Sequence, residues 1–138
     1  PIKQHQWPKM AELCRETPLP IALDEELIGV NVRSMKQALL DTIRPQYIVL
    51  KPSLHGGMYG CEEWISLARE RGIGSWITSA LESNVGLNAI AHFCAKVYGK
   101  EAYGAEAPVA QGLGTGKLFE DNLPSQLEIR GEKLFFLP

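Results

Sequence analysis

The 138-residue sequence predicts an α/β fold: about four βα units with parallel strands, which is half of a (β/α)8 barrel, followed by a β-hairpin. Short apolar runs alternate regularly with segments of helical periodicity. The apolar runs lack alternating polar residues, which is typical of parallel strands that are buried on both faces. The length suits one ordinary domain but is only about half of the roughly 250 residues of a closed barrel.

The first half of the chain is predicted to contain two helices and two strands. The first helix spans about residues 8–16, and its apolar face comprises Met10, Leu13 and Cys14. A short strand at 21–23 ends at an aspartate. The second helix spans about residues 33–43, and its apolar stripe comprises Met35, Ala38, Leu39, Thr42 and Ile43. A proline ends this helix, and the apolar strand 47–50 follows.

The second half is predicted to continue the alternation and to close with a hairpin. After a loop at 51–60, the third helix has an apolar stripe of Cys61, Trp64, Ile65 and Ala68, and it ends near Gly72. A strand at 75–80 precedes a fourth helix with a stripe of Leu87, Ile90, Ala91, Cys94 and Tyr98. Residues 107–116 are predicted to add a short strand and loop. A hairpin turns near Arg130-Gly131, so we expect a barrel part at 1–122 and a hairpin tail at 123–138.

Composition excludes several classes of function. Hydrophobic residues make up 45% and charged residues 22% of the chain, as in soluble globular proteins. A net charge of −2 with scattered signs argues against nucleic-acid binding. The sequence has no apolar run near the ~20 residues of a membrane helix, and no signal-peptide pattern. Three widely spaced cysteines favour a reducing cytoplasm over a disulfide framework.

Charged side chains follow three of the predicted strands. Asp24 follows "IAL", Lys51 follows "YIVL", and Glu82 comes just after "SWITSAL". Because functional groups of parallel α/β folds cluster at the carboxyl ends of strands, an acid and an amine could stand side by side there. Such a pair can hold a divalent cation or stabilise developing negative charge. Taken singly, each of these residues is better explained as a helix cap or a solvated strand end. Because Asp24 and Lys51 end consecutive apolar strands, the two together support the functional interpretation equally well.

Four segments in order, "IALDEELIG", "IVLKPSLHGG", "SWITSALESNVGLNAIAHF" and "GLGTGKLFED", together resemble the C-terminal half of o-succinylbenzoate synthases. These enzymes belong to the muconate-lactonizing-enzyme-like subgroup of the enolase superfamily. The resemblance implies that the strands are numbers five to eight of the barrel. It further implies that Asp24 is the third of three carboxylate ligands of Mg²⁺ and that Lys51 ends strand six. By the same resemblance, the substrate-binding residues are Ser79, Ser83, Gly112, Gly114 and Thr115.

The resemblance implies a lyase of menaquinone biosynthesis that dehydrates a small cyclohexadiene carboxylate to o-succinylbenzoate. Removal of a proton next to the substrate carboxylate gives an enediolate, which Mg²⁺ stabilises as a Lewis acid. Lys51 would remain an ammonium group that faces the substrate. There it would stabilise the developing aromatic anion by charge and by cation–π interaction.

The sequence also departs from the family pattern. The K-x-K motif that carries the general acid–base lysine of the family is absent. The opening "PIKQ" matches the family's E-Q-P sequence only at its proline, so the glutamate that is the second metal ligand is missing, as is the first ligand. We therefore expect a fragment that is inactive alone, with an incomplete Mg²⁺ site. Its hairpin would pack on an N-terminal capping domain. Two open strand edges predict self-association.

Three alternatives stay open at this point. The first is an N-acylamino acid racemase or another racemase or epimerase of the superfamily, in which Lys51 would be an acid–base group. The second is a Schiff-base aldolase that uses Lys51 as nucleophile. The third is a non-catalytic α/β domain, in which Asp24 is a cap and Lys51 a solvated end.

Overall fold

A computed structural model describes residues 2–99, 110–116 and 118–137 of the chain. The predicted alternation of helices and strands is confirmed over these residues. The chain forms two compact units, Pro1–Trp76 and Ile77–Pro138. The division expected near residue 122 stays a prediction. Within the described part of the chain, no helix has both the length and the apolar character that crossing a membrane demands.

The first unit contains three helices: α1 (Trp7–Glu16), α2 (Arg33–Ile43) and α3 (Gly57–Arg69). A proline in the first turn of α1 starts that helix, because proline costs no hydrogen bond there. The bounds of α2 agree with the prediction, and Arg44 ends the helix in the left-handed region with φ of 51°. Helix α3 begins earlier than expected, inside the predicted loop, after Gly56 with φ of 84°.

A three-stranded sheet has the order β1 (Ala22–Leu23), β2 (Tyr47–Leu50) and β3 (Gly74–Ile77). Strands β1 and β2 are parallel, with Ala22 opposite Tyr47 and Leu23 opposite Ile48. Both β1 and β3 are shorter than the sequence predicted. In β3 the residue Gly74 lets the ring of Tyr47 pack on the backbone, since a Cβ atom there would lie 2.4 Å from that ring.

The core of the first unit lies between the sheet and its helices. Its fully buried side chains include Leu27, Leu39, Leu40, Ile43, Ile48, Leu50, Trp64 and Leu67. The predicted apolar stripe of α2 was wrong in part. Met35 is 49% exposed, and Ala38 and Thr42 are exposed too, whereas Lys36 is buried with 1% exposure. The buried face is rotated because the lysine finds charged and polar partners inside the unit.

The second unit contains α4 (Asn84–Tyr98) and a hairpin of β4 (Leu127–Arg130) and β5 (Lys133–Phe136). The predicted fourth helix and the hairpin are therefore confirmed, and Gly131 makes the turn with φ of 62°. Of the predicted strand and loop at 107–116, residues 107–109 lie outside the described residues. Among the others, Gly112 forms a single parallel bridge with Thr78.

Candidate active site

Two strand ends of the first unit meet at one edge of the sheet. Since β1 and β2 run parallel, Asp24 after β1 and Lys51 after β2 both leave the carboxyl-terminal edge. The residues just before them, Leu23 and Leu50, are buried. Packed strands therefore set the positions of both charged residues.

The side chains of Asp24 and Lys51 form an ion pair. Lys51 Nζ donates hydrogen bonds to both carboxylate oxygens of Asp24, each at 2.7 Å. The side chains are only 16% and 29% exposed, and partial shielding from water strengthens such a bond. Glu25 Oε1 lies 3.9 Å from the same Nζ, but its side chain is mostly exposed. The side-by-side arrangement expected from the sequence is present, and the roles of the two residues stay predictions.

Asp24 is fixed by the short 3₁₀ helix Glu25–Leu27 that follows it. The Leu27 N–H donates to the carbonyl of Asp24 at 3.0 Å. Within this helix Glu26 is buried, and its carboxylate accepts the indole N–H of Trp7 at 2.7 Å and the backbone N–H of His5 at 3.0 Å. A buried carboxylate is stable only when its oxygens are bonded in this way. Glu26 thus fastens the segment before α1 beside Asp24.

Lys51 is held by its own loop through His55. His55 Nδ1 accepts the backbone N–H of Lys51 at 2.8 Å. The carbonyl of Lys51 accepts the N–H groups of Leu54 at 2.9 Å and His55 at 3.1 Å. The His55 side chain is fully buried, and burial lowers its pKa to about 4, although the charge of Asp24 opposes the shift. No sequence signal short of the fold would have distinguished it from a turn residue.

A buried cation, Lys36 of α2, was missed by the sequence analysis. Its ammonium group lies 2.9 Å from Glu63 Oε2, donates to the carbonyl of Gly60 at 3.1 Å, and sits 5.2 Å from the ring centre of Trp64. The ion pair with Lys36 is the main cause that lowers the pKa of Glu63. A depression of about 470 Å³ borders Lys36 and Glu63, and its lining includes neither Asp24 nor Lys51. The depression therefore does not mark the strand-end pair.

In the second unit, the predicted substrate residue Ser79 lies in a loop that is held by hydrogen bonds among its own residues. The Ser79 hydroxyl donates to Glu82 Oε2 at 2.7 Å and accepts the Leu81 N–H at 2.8 Å. The Ala80 N–H donates to the same Glu82 oxygen at 2.9 Å. Ser79 is buried, and Leu81 takes a left-handed conformation with φ of 67°. Substrate binding by Ser79 stays a prediction.

The remaining predicted substrate residues lie at the start of α4 and in the segment 110–116. Ser83 occupies the N-cap position without a side-chain cap, and the first N–H, that of Asn84, instead donates to Asn122 Oδ1 at 3.0 Å. The carbonyl of Gly112 accepts the Thr78 hydroxyl at 2.8 Å. Gly114 is exposed in a turn with Thr115, whose buried Oγ1 has no hydrogen bond in the described part of the chain.

The carboxyl edge of the sheet, where a magnesium site is predicted, carries carboxylate oxygens. Oxygen ligands are those that Mg²⁺ prefers, and Asp24, with Glu25 beside it, supplies carboxylates there. Across residues 2–99, 110–116 and 118–137, no group of three or more His, Cys, Asp or Glu side chains is arranged to bind a metal ion. A role of Asp24 as a Mg²⁺ ligand therefore stays a prediction, and both of its carboxylate oxygens accept hydrogen bonds from Lys51 Nζ.

Comparison with known proteins identifies the family of this chain. Residues 1–134 match the family described as enolase C-terminal domain-like. The chain is 59% identical over 131 residues to o-succinylbenzoate synthase of Desulfotalea psychrophila (strain LSv54), an alignment that covers 95% of this chain and 33% of that protein. The chain thus spans about a third of the length of this curated relative.

Solved structures agree with the sequence match. The crystal structure of MenC from Desulfotalea psychrophila LSv54 superposes with a TM-score of 0.85 at 58% identity, covering 97% of this chain and 35% of that one. Muconate lactonizing enzyme from Pseudomonas putida has a TM-score of 0.77 at 22% identity, covering 100% and 36%, which shows the fold alone. The predicted resemblance and the predicted partial barrel are confirmed. The chain belongs to the enolase C-terminal domain-like family.

Proposed function

We propose that the chain is the part of an o-succinylbenzoate synthase-like, Mg²⁺-dependent hydro-lyase that carries the strand-end pair Asp24 and Lys51. The substrate would be a small cyclohexadiene carboxylate on the route to menaquinone. The cytoplasm is the proposed compartment, in keeping with three buried cysteines that are all free. Support comes from 59% identity to a synthase over 95% of the chain.

The single observation that carries the proposal is the hydrogen-bonded pair of Lys51 and Asp24 at the carboxyl edge of the sheet. Loss of a proton next to a carboxylate leaves negative charge on the substrate oxygens. When bound, Mg²⁺ would supply Lewis-acid stabilisation of that charge, with Asp24 as one ligand. Lys51 would add a second positive group that is already in place before the reaction.

The surroundings of Lys51 suit this electrostatic role. Its side chain is 16% exposed, and the buried residues of β2 beneath it exclude water from one side. A charge acts more strongly where few water molecules screen it. The backbone N–H and C=O groups of Lys51 are both hydrogen-bonded within the loop. The backbone position from which the lysine side chain extends is therefore fixed. Little reorganisation is then needed as negative charge develops on the substrate.

The proposal includes that the 138-residue chain alone has no turnover. The family's general acid–base lysine belongs to a K-x-K motif, and the sequence contains no such motif. Asp24 is one of the three carboxylate ligands that the family uses. A purified chain that dehydrates the cyclohexadiene substrate would contradict this part of the proposal.

A chimera tests the function directly. This chain would replace the 131 aligned residues of the Desulfotalea synthase, and dehydration would be followed with Mg²⁺ present. We expect turnover in the chimera and a loss of about 10²–10³-fold in kcat for Lys51→Met. Lys9→Met, on the exposed face of α1, is the matched control and should leave kcat unchanged.

Two outcomes would contradict the proposal. In the first, a folded chimera fails to dehydrate the substrate. In the second, the Lys51→Met chimera keeps full activity. Incorporation of solvent deuterium into N-acylamino acids without any dehydration would instead support a racemase, in which Lys51 acts on a proton itself.

A further inference from the structure

We propose that His55 is a positioning residue for Lys51: its Nδ1 atom accepts the Lys51 backbone N–H and so fixes the origin of the catalytic ammonium group. This inference rests on the proposed function of Lys51. It adds a residue that acts through Lys51 and does not itself touch the substrate. Four observations on the described residues support it.

The first observation is the closed loop that His55 forms with Lys51. The Lys51 N–H lies just beyond β2 and donates to His55 Nδ1 at 2.8 Å. The Lys51 carbonyl accepts two N–H groups from the same loop, at 2.9 and 3.1 Å. Both peptide groups of Lys51 are therefore engaged, and only rotations about the side-chain bonds remain free. Of these three hydrogen bonds to the Lys51 backbone, only the one with His55 Nδ1 involves a side-chain atom.

The second observation is that helix α3 packs directly on His55. A Cβ atom on Gly60 would lie 2.2 Å from the His55 carbonyl oxygen, so the absence of a side chain at residue 60 permits this close approach. Lys36 Nζ donates to the Gly60 carbonyl at 3.1 Å and pairs with Glu63 at 2.9 Å. The ion pair of Lys36 and Glu63 thus holds the α3 turn that packs on the His55 backbone.

The third observation is the tautomer that the hydrogen bond requires. Because Nδ1 accepts, the proton of the neutral imidazole is on Nε2. In the part of the chain that the structure describes, Nε2 is buried and has no hydrogen-bond partner. An unpaired buried N–H is unfavourable, so an apolar residue would avoid that penalty. The imidazole nevertheless provides one thing that an apolar residue lacks, an acceptor for the Lys51 N–H.

The fourth observation concerns the charge state. Burial lowers the pKa of His55 to about 4, with smaller opposing and reinforcing effects from Asp24, Glu25, Lys51 and Lys36. The imidazole is therefore neutral near pH 7, where Nδ1 has a free lone pair. Protonation would convert Nδ1 to a donor and break the bond to Lys51.

Three substitutions in the chimera test the inference. In His55→Asn, Oδ1 takes the place of Nδ1, whereas in His55→Gln the amide reaches the place of Nε2. His55→Leu removes both nitrogen atoms. We expect His55→Leu and His55→Gln to lower kcat by about 10- to 100-fold with KM changed less than about threefold, and His55→Asn to retain kcat within about threefold.

A readout independent of activity accompanies the kinetics. In protein labelled with ¹⁵N-lysine, the Lys51 amide signal is identified by its loss in Lys51→Arg. Its hydrogen exchange should be slow in the unchanged protein and in His55→Asn, and about 10-fold or more faster in the other two variants. If the unchanged chimera is folded but inactive, the proposed function of Lys51 fails, and the exchange rates still decide the bonding role of His55.

Clear results would overturn the inference. Full kcat and slow Lys51 exchange in His55→Leu would show that the bond is dispensable. Recovery of kcat by His55→Gln, but not by His55→Asn, would show that Nε2 is the important atom. Should His55→Leu fail to fold, the comparison of His55→Asn with His55→Gln at matched thermal stability remains decisive.

Discussion

Two loops that follow neighbouring strands use their charged groups in opposite ways. In the loop 51–56 after β2, Lys51 bonds across 27 residues of sequence to Asp24. In the loop 78–83 after β3, Glu82 bonds to Ser79 and Ala80, only three and two residues away. The charged residue of the first loop therefore bonds to a residue outside that loop, whereas the charged residue of the second loop bonds to residues within it.

The difference teaches that a position at a strand end does not by itself define a functional residue. The bond between Lys51 and Asp24 joins two separate strands, so a ligand could replace either partner without unfolding a loop. The carboxylate of Glu82 cannot leave Ser79 and the Ala80 N–H without leaving buried polar groups unpaired. The first pair is therefore suited to chemistry, and the second to support.

The largest expected effect is on turnover. In the chimera described above, Lys51→Met should lower kcat by about 10²–10³-fold, whereas Glu82→Gln should cost less than about 10-fold, because the amide oxygen still accepts from its loop. Steady-state kinetics with the cyclohexadiene carboxylate would measure both. Equal losses in the two variants would break the distinction between the loops.

The next largest effect is on the free energy of unfolding, through the ion pair of Lys36 and Glu63. Glu63→Ala leaves the ammonium group of Lys36, whose side chain is 2% exposed, without its carboxylate, and should lower the free energy of unfolding by about 2–4 kcal/mol. Adding Lys36→Met removes the buried charge and should restore stability to within about 1 kcal/mol. Urea unfolding measures both values. A double variant as unstable as Glu63→Ala would contradict this explanation.

A smaller effect concerns pH and His55. Its folded pKa of about 4 lies below the ordinary value of 6.5, so the unfolded state binds more protons between these two values. The contribution of neutral His55 to the free energy of unfolding is therefore complete above about pH 6.5 and is lost as pH falls toward 4. From pH 7.5 to 5.0 we expect the unchanged chain to lose about 1–2 kcal/mol more than His55→Asn, which cannot titrate there.

Chemical unfolding of both proteins at the two pH values would check this expectation. Asp24 and Glu25 favour the charged imidazole, and Lys51 and Lys36 oppose it, so all four remain unchanged in the comparison. Identical pH dependence in the two proteins would show that His55 does not titrate as described.

The smallest effect sharpens the description of the second loop. Leu81 is a bulky residue at φ of 67°, a conformation that asparagine adopts more readily. Leu81→Asn should therefore raise the free energy of unfolding by about 0.5–1 kcal/mol. Leu19→Asn, at a residue that is 71% exposed, is the matched control and should change it by less than about 0.5 kcal/mol. A loss of stability at residue 81 would mean that the leucine side chain stabilises the loop.

The sequence was sufficient to predict the features that follow from local pattern and from topology. The bounds of α2 were predicted correctly because apolar spacing and a following proline define them. The adjacency of Asp24 and Lys51 was predicted because parallel neighbouring strands place their carboxyl ends at one edge. The hairpin followed from its glycine turn.

Other features depend on contacts between distant residues, which spacing cannot show. The buried face of α2 was predicted wrongly because a lysine is counted as polar, whereas Lys36 is buried by its contact with Glu63 of another helix. The sequence His55-Gly56-Gly57 is typical of a turn, and it does not show that the imidazole accepts the Lys51 N–H. Asn122, which is 38 residues from Asn84 in sequence, accepts the first N–H of α4 through its Oδ1 atom.

Two hydrogen bonds between Lys51 and His55 close a ring, and this ring limits how the sequences of relatives can diverge. Because the atoms that close the ring are separated by a fixed number of residues, inserting or deleting one residue at 52–54 would move the acceptor away from its donor. Exchange of side chains at those positions leaves the ring intact. Under the proposed function, a new substrate range at this edge should therefore evolve through residue replacement, with the length of the segment held constant.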